Sequence, residues 1–316
     1  MSKQPIDPYK HLDIVLNPNR TLTRLRHIPH TAPSSDPTLP VLTKDLTINQ
    51  QNNTWLCLFL PRIALSPNPK KLPFIVYFHG GGFIVASAAS TMFHHFCAAM
   101  SAAFPAMVAS VKYHLVPEHR FPATYDDTVE ALEFIRDNND EWLTKHANMS
   151  SCYLMGSSVG ATIAYFVGLR EIDTAPDLEP LKIRGLILCQ VFFGGTQRCE
   201  SEIRLEDDEV VPLCVIDMFW ELALPVGVDR DHEYCNMRAE KWVGKLGMMK
   251  ELGWRVLVSG NDGDPVIDRE KDLVVLLEEK GVDVVSDFDI DGCHGVEYDD
   301  ESKANQLILV VKRFVS

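Results

Sequence analysis

Short apolar runs alternate with longer stretches of helical period through most of the chain. The runs "FIVYFHG" (74–80), "AMVASVKY" (106–113), "SCYLMG" (151–156), "RGLILCQVFF" (184–193), "RVLVSG" (255–260) and "DVVSDFDI" (283–290) read as buried strands. Between them, "ATYDDTVEALEFIRDN" (123–138), "GATIAYFVGLREI" (160–172), "DREKDLVVLLEEKG" (268–281) and the terminal "ESKANQLILVVKRFV" (301–315) carry apolar positions at helical spacing. This order predicts an α/β fold: a mostly parallel central sheet, helices on both faces, and a site at the carboxyl ends of the strands.

Two segments fit the alternation poorly. Residues 1–40 are rich in Pro, Asn and Thr, and residues about 194–250 insert a long stretch, including the amphipathic "CVIDMFWELAL" (214–224), between two sheet strands. Together they are expected to form a cap over the strand ends. With 316 residues and 46% hydrophobic content, the chain can bury one large core, so a single domain over 1–316 is expected.

Charge narrows the partners. A formal net charge of −14 argues against nucleic acid and anionic membrane surfaces, both of which recruit basic patches. The eight cysteines are scattered, several inside apolar runs, with no C-x-x-C pair or Cys/His ligand spacing; reduced, packed thiols and no metal are expected. The opening "MSKQPIDPYKHLDIVLN" lacks the layout of a secretory signal, and no apolar run reaches the roughly 20 residues of a membrane span. A cytoplasmic protein of undetermined oligomeric state is expected, acting on a small molecule without a cofactor.

The candidate chemistry falls at strand ends. After "FIVYF" comes His79-Gly80-Gly81-Gly82-Phe83, a glycine run that leaves backbone N–H groups open to an oxyanion; it lacks the Gly-Lys-Ser/Thr of a phosphate loop. In "MGSSVGAT" (155–162) only Ser158 has glycine two residues before and after it, at 156 and 160. That frame suits a nucleophile on a sharp strand-to-helix turn; Ser157 has Met155 and Val159 at the corresponding positions. After "RVLVSG", the loop "NDGDPVIDR" offers Asp262, Asp264 and Asp268, any one of which could orient an imidazole. Of eleven histidines, His294 in "DGCHGVE" lies in a loop before the final helix, in the chain order Ser, Asp, His that this fold uses.

The combined pattern resembles the plant carboxylesterase family, within the hormone-sensitive-lipase-like group of α/β-hydrolases, nearly end to end and closest to its cytosolic fruit and leaf members. The resemblance rests on "LNPNRTLTR", "LPFIVYFHGGGF", "VPEHRFPATYDD", "GSSVG", "DRDHEYCN", "GDPVIDR" and "CHGVE". It implies Ser158 as nucleophile, His294 as base, and Gly81, Gly82 and the N–H of Val159 as oxyanion donors. Asp264 is implied as the acid by the family's Asp-Pro-Leu-x-Asp pattern, kept here as "DPVID". The implied activity is hydrolysis of carboxylic esters of small, largely apolar plant metabolites. Relatives also suggest decarboxylation, elimination or cyclisation in specialised metabolism, and a gibberellin-receptor-like binding role. For the pocket, Phe83 and Ile84 are expected in the floor and Met218, Phe219 and Trp220 in the cap.

The chain departs from its family beside the site. Asp-Tyr-Arg-Leu-Ala-Pro-Glu is replaced by Lys112-Tyr113-His114-Leu115-Val116-Pro117-Glu118, and Gly-Glu/Asp-Ser-Ala-Gly-Gly-Asn by Gly156-Ser157-Ser158-Val159-Gly160-Ala161-Thr162. Two acids and an arginine are thereby lost. Ser157 and His114 are expected to stand where an acid and an arginine would otherwise pair. Restoring both, together with Val159→Ala, is expected to bring back activity on generic short esters.

Overall fold

A computed structural model describes residues 5–67 and 70–316; residues 1–4 of the expected N-terminal cap segment lie outside the described residues. The strands in chain order are β1 (Ile14–Leu16), β2 (Leu22–Arg24), β3 (Val41–Asn49), β4 (Thr54–Pro61), β5 (Leu72–Phe78), β6 (Met107–Lys112), β7 (Ala147–Ser157), β8 (Ile183–Cys189), β9 (Arg255–Asn261) and β10 (Asp283–Asp289). Eight form one sheet in the order β10-β9-β8-β7-β5-β6-β4-β3, and β1 and β2 make a separate hairpin. Only β4 runs against the others: it is antiparallel to β3 and β6, and every remaining pairing is parallel. The order reverses where β5 lies between β6 and β7, the place where open α/β sheets bind ligands.

Alternation along β5 explains why both faces are covered. Phe74, Val76 and Phe78 join the core beneath the helices Ala123–Asp137, Val159–Glu171 and Ile267–Glu279. Ile75 and Tyr77 point the other way, into the core under Thr91–Ala103 and the terminal helix Glu301–Val315. A strand apolar on both faces is stable only when both are packed, and all five side chains are fully buried.

The structure adds elements that the apolar alternation does not assign: the edge strand β3, its neighbour β4 and the helix Thr91–Ala103. The run read as a strand through 193 ends at Cys189. Gln190 adopts φ +50°, and Val191, Phe192 and Phe193 leave the sheet while staying buried. An apolar run marks burial, and burial here continues past the last ladder hydrogen bond.

Within the segments expected to cap the site, the short helix Pro8–His11 packs on the helix Leu213–Ala223, and the His11 ring donates from Nε2 to the Val210 carbonyl at 3.3 Å. Arg120 donates to the Glu221 and Leu224 carbonyls, tying the end of that second helix to the loop after β6. Among the described residues no helix is long and apolar enough to cross a membrane.

Candidate active site

The turn after β7 is built by close approach. A Cβ on Gly160 would strike the Phe78 carbonyl, and one on Gly156 would strike Gly160 itself. The helix Val159–Glu171 can therefore start directly on the sheet. Ser158 bears the bend, at φ +57° and ψ −128°, a region in which a non-glycine residue is strained and which concentrates at functional sites. Its backbone N–H donates to the Cys189 carbonyl at 2.8 Å. The side chain stands at the N-terminus of a 13-residue helix, whose dipole favours developing negative charge.

Two further loops converge on that hydroxyl. His294 approaches Ser158 Oγ through Nε2 at 2.8 Å and Asp264 Oδ2 through Nδ1 at 2.7 Å. Asp264 is fully buried at the carboxyl end of β9, and its other oxygen accepts the Val266 N–H at 3.0 Å. The two neighbouring acids go elsewhere. Asp262 pairs with Lys271 at 2.9 Å, and Asp268 accepts the Ser201 N–H at 2.7 Å. Burial pulls the His294 pKa down, but the Asp264 charge and hydrogen bond, with smaller contributions from Glu297 and Asp208, outweigh it and leave it above the ordinary histidine value. The ring can accept a proton at Nε2 while Asp264 steadies the resulting cation.

The glycine turn faces the same hydroxyl. Gly81 and Gly82 both have positive φ (108° and 63°), and a Cβ on Gly80 would sit 3.5 Å from that of Ser158. Among the described residues neither the Gly81 nor the Gly82 N–H has an acceptor, and that of Val159 lies in the first helical turn, where intrahelical partners are lacking. Such donors can bind an oxyanion. The turn is held from two sides. Tyr113 stacks on His79 at 4.3 Å and donates to its carbonyl at 2.7 Å, while burial lowers the His79 pKa to about 4, so this imidazole is neutral near pH 7. Arg24 donates to the Ile84 carbonyl at 2.5 Å and pairs with Glu118 at 2.8 Å, joining the "LTR" and "PEHR" stretches around the turn.

Phe83 and Ile84 are fully buried. Phe83 packs edge-on against Phe121 and beside Trp220. The Phe219 ring lies directly over Gly82, and Trp220 stacks on Phe192, whose ring is 6.4 Å from that of His294. Met218 is buried on the same helix. Trp220 also borders a cavity of about 600 Å³ between the helix Leu213–Ala223, the loop that follows it and Leu16.

The expected pairing of positions 157 and 114 is overturned. Ser157 Oγ donates to Glu297 at 2.6 Å, whereas His114 pairs through Nδ1 with Asp127 at 2.8 Å and its backbone N–H reaches the same oxygen. The two side chains belong to separate networks because β7 and the end of β6 lie on opposite sides of β5. Restoring an acid at 157 would set a second carboxylate against the buried Glu297 and is expected to harm the protein.

Two buried carboxyls were given no role by the sequence. Glu297 follows His294 in the quoted "CHGVE", and Glu270 opens the helix after Asp264. Neither oxygen of Glu270 has a hydrogen-bond partner among the described residues; burial first, then Asp264 and Glu297, raises its pKa well above the usual carboxyl range. The folded state therefore keeps a proton that the unfolded chain releases, so stability falls as pH rises above the unfolded value. Glu270→Gln is expected to raise Tm by about 2 to 4 °C at pH 8 and by less at pH 5. An equal shift at both pH values in differential scanning fluorimetry would contradict a protonated Glu270.

Comparison with known proteins gives this geometry its class. A family model described as the alpha/beta hydrolase fold matches residues 75–297. An esterase from Pyrobaculum calidifontis shares the fold at a TM-score of 0.72 and 22% identity, with 86% of this chain and 85% of that one aligned. The chain is 48% identical to carboxylesterase 20 of Arabidopsis thaliana, covering 98% of this chain and 96% of that protein. It is 43% identical to the 3-O-acetylpapaveroxine carboxylesterase CXE2 of Papaver somniferum, over 98% and 99% respectively. The protein belongs to the plant carboxylesterase family of α/β-hydrolases. It is a carboxylic ester hydrolase, with small-molecule esters as its substrates.

Proposed function

We propose that this protein is a serine carboxylesterase that cleaves esters of small, largely apolar plant metabolites through an acyl-enzyme. The observation that carries this reading is the unbroken chain from Asp264 through His294 to Ser158, at 2.7 and 2.8 Å, opposite N–H groups with no acceptor among the described residues. His294 takes the Ser158 proton as Oγ attacks the ester carbonyl, and the N–H groups of Gly81, Gly82 and Val159 hold the oxyanion. His294 then gives its proton to the leaving alcohol. A water attacks the acyl-enzyme by the same route in reverse and frees the acid. The likeness to a relative named for an acetyl ester supports an O-acylated metabolite as substrate.

Residues of about 1–40 and 194–250 serve as the cap in this reading, with the Leu213–Ala223 helix over the oxyanion turn. Phe219 then limits the acyl group, since its ring occupies the space above Gly82. Phe219→Ala is expected to shift preference from p-nitrophenyl acetate towards the hexanoate by about 10-fold or more in kcat/KM, the scale set by a few methylenes in an apolar pocket. A lower Tm with unchanged chain-length preference would make Phe219 a packing residue only.

The whole reading is tested by incubating the purified protein with a fluorophosphonate, locating the adduct by peptide mass spectrometry, and assaying p-nitrophenyl butyrate. Labelling at Ser158 with parallel loss of hydrolysis is expected. Ester hydrolysis that survives complete labelling, or a label on another serine, would overturn it.

A further inference from the structure

A buried polar chain joins the nucleophile turn to the loop that carries His294, and ester cleavage as described makes no use of it. Ser157 Oγ donates to Glu297 Oε1 at 2.6 Å, Gln190 Nε2 donates to Glu297 Oε2 at 2.7 Å, and the Gly295 N–H donates to Gln190 Oε1 at 2.5 Å. A backbone N–H is only a donor, so it fixes the orientation of the Gln190 amide and directs the NH₂ group at Glu297. Ser157, Gln190 and Glu297 are 1%, 3% and 5% exposed, which places all three inside the fold. Gln190 also carries backbone strain, at φ +50°, and its own N–H is anchored on the Ser259 carbonyl at 2.7 Å.

We propose that Gln190 and Glu297 are positioning residues for the base: Gln190 pins the loop carrying His294 to the end of β8, and Glu297, held by Ser157, adds a second negative charge beside the imidazole. The proposal rests on His294 being the base. A base on a loop must meet Ser158 and Asp264 at once, and a misplacement of about 1 Å can cost about 10²-fold in rate. The tether supplies that restraint one residue beyond the ring, and a fully satisfied buried network resists deformation. It also accounts for the serine at 157. The carboxylate next to the nucleophile turn comes from residue 297, so residue 157 must donate to it.

The charges around the ring fix the sign of the pH effect. His294 faces Asp264, Glu297 from its own loop, and Asp208 from the inserted segment. Glu297 in turn has Glu270, whose carboxyl pKa burial raises well above the usual range, the Tyr298 and Tyr77 hydroxyls, and a cavity of about 340 Å³ bordered by Asp287, Asp289, Lys303 and Arg313. Removing the Glu297 charge lowers the His294 pKa. The imidazole then stays neutral to lower pH, and the acid limb of the rate profile moves down.

The test compares Glu297→Gln and Gln190→Ala with the wild type in the full-length protein. Readouts are kcat and KM on p-nitrophenyl butyrate, the pH profile of kcat/KM, and the rate of fluorophosphonate labelling, all normalised to the titrated active fraction. Glu297→Gln is expected to lower kcat by about 10- to 100-fold with KM within about threefold, and to move the acid limb down by about half a pH unit or more. Gln190→Ala is expected to lower kcat per titrated active site comparably while leaving the acid limb in place; a general loss of folding lowers the active fraction and leaves kcat per active site unchanged. If either variant yields no folded protein, the other decides. Rates within twofold of wild type per active site would overturn the proposal, as would an unmoved acid limb in Glu297→Gln. If Ser158→Ala keeps its activity, the esterase reading itself fails; if only the Gln190 and Glu297 variants behave as wild type, that reading stands and the positioning role falls.

Discussion

Replacing Ser158 by Ala is expected to lower kcat for p-nitrophenyl butyrate by about 10³- to 10⁶-fold, while Ser157→Ala keeps most of the activity. The two serines are adjacent, yet their surroundings differ completely. Ser158 sits at the bend with its hydroxyl 2.8 Å from the His294 ring, and Ser157, the last residue of β7, turns its hydroxyl inward to Glu297. Loss of the Ser158 oxygen removes the atom that would form the acyl bond. Loss of the Ser157 oxygen takes one of two donors from Glu297, a cost of less than about twofold while the Gln190 contact survives. Active-site titration alongside steady-state kinetics separates these outcomes. Equal losses in the two variants, or the larger loss at 157, would remove Ser158 from the proposed role.

Asp264→Asn is expected to cost about 10⁴-fold in kcat at near-unchanged Tm, and neither Asp262→Asn nor Asp268→Asn should cost more than a few-fold. An amide at 264 loses the charge that favours the His294 cation and can hold the ring in the wrong tautomer, with its proton directed at Ser158. Asp262 is half exposed in its pair with Lys271, where an ion pair contributes little. Asp268 holds the Ser201 N–H beneath the inserted segment, so its loss should appear in stability before it appears in rate. Comparing kcat and Tm for the three variants decides the matter. A loss at 262 or 268 as large as that at 264, at unchanged Tm, would assign the acid elsewhere.

The sequence by itself determined the features that arise within a few residues. The glycine at 156 is legible because a side chain there would collide with the backbone of Gly160, one helical turn on. The parallel core strands are legible because a segment buried on both faces must be apolar at every position, as β5 is. The same rule blurs strand ends, so the run through 193 says nothing of the bend at Gln190. A glutamine inside "LILCQVFF" was the one signal there, a polar side chain that burial obliges to find partners.

Only the tertiary structure decided who those partners are. Gln190 and Glu297 lie 107 residues apart and Ser157 and Glu297 lie 140 apart, and no local pattern carries information across such distances. The family pattern singles out Asp264, but composition leaves three aspartates in one loop. They are told apart by the bend after β9, which turns one inward to His294 and leaves the others to Lys271 and Ser201. The supposed link between His114 and Ser157 failed for the same reason. Strand order sets each beside a different carboxylate, and a hydrogen bond needs its partner within about 3 Å, a condition met by folding and not by neighbourhood in the chain.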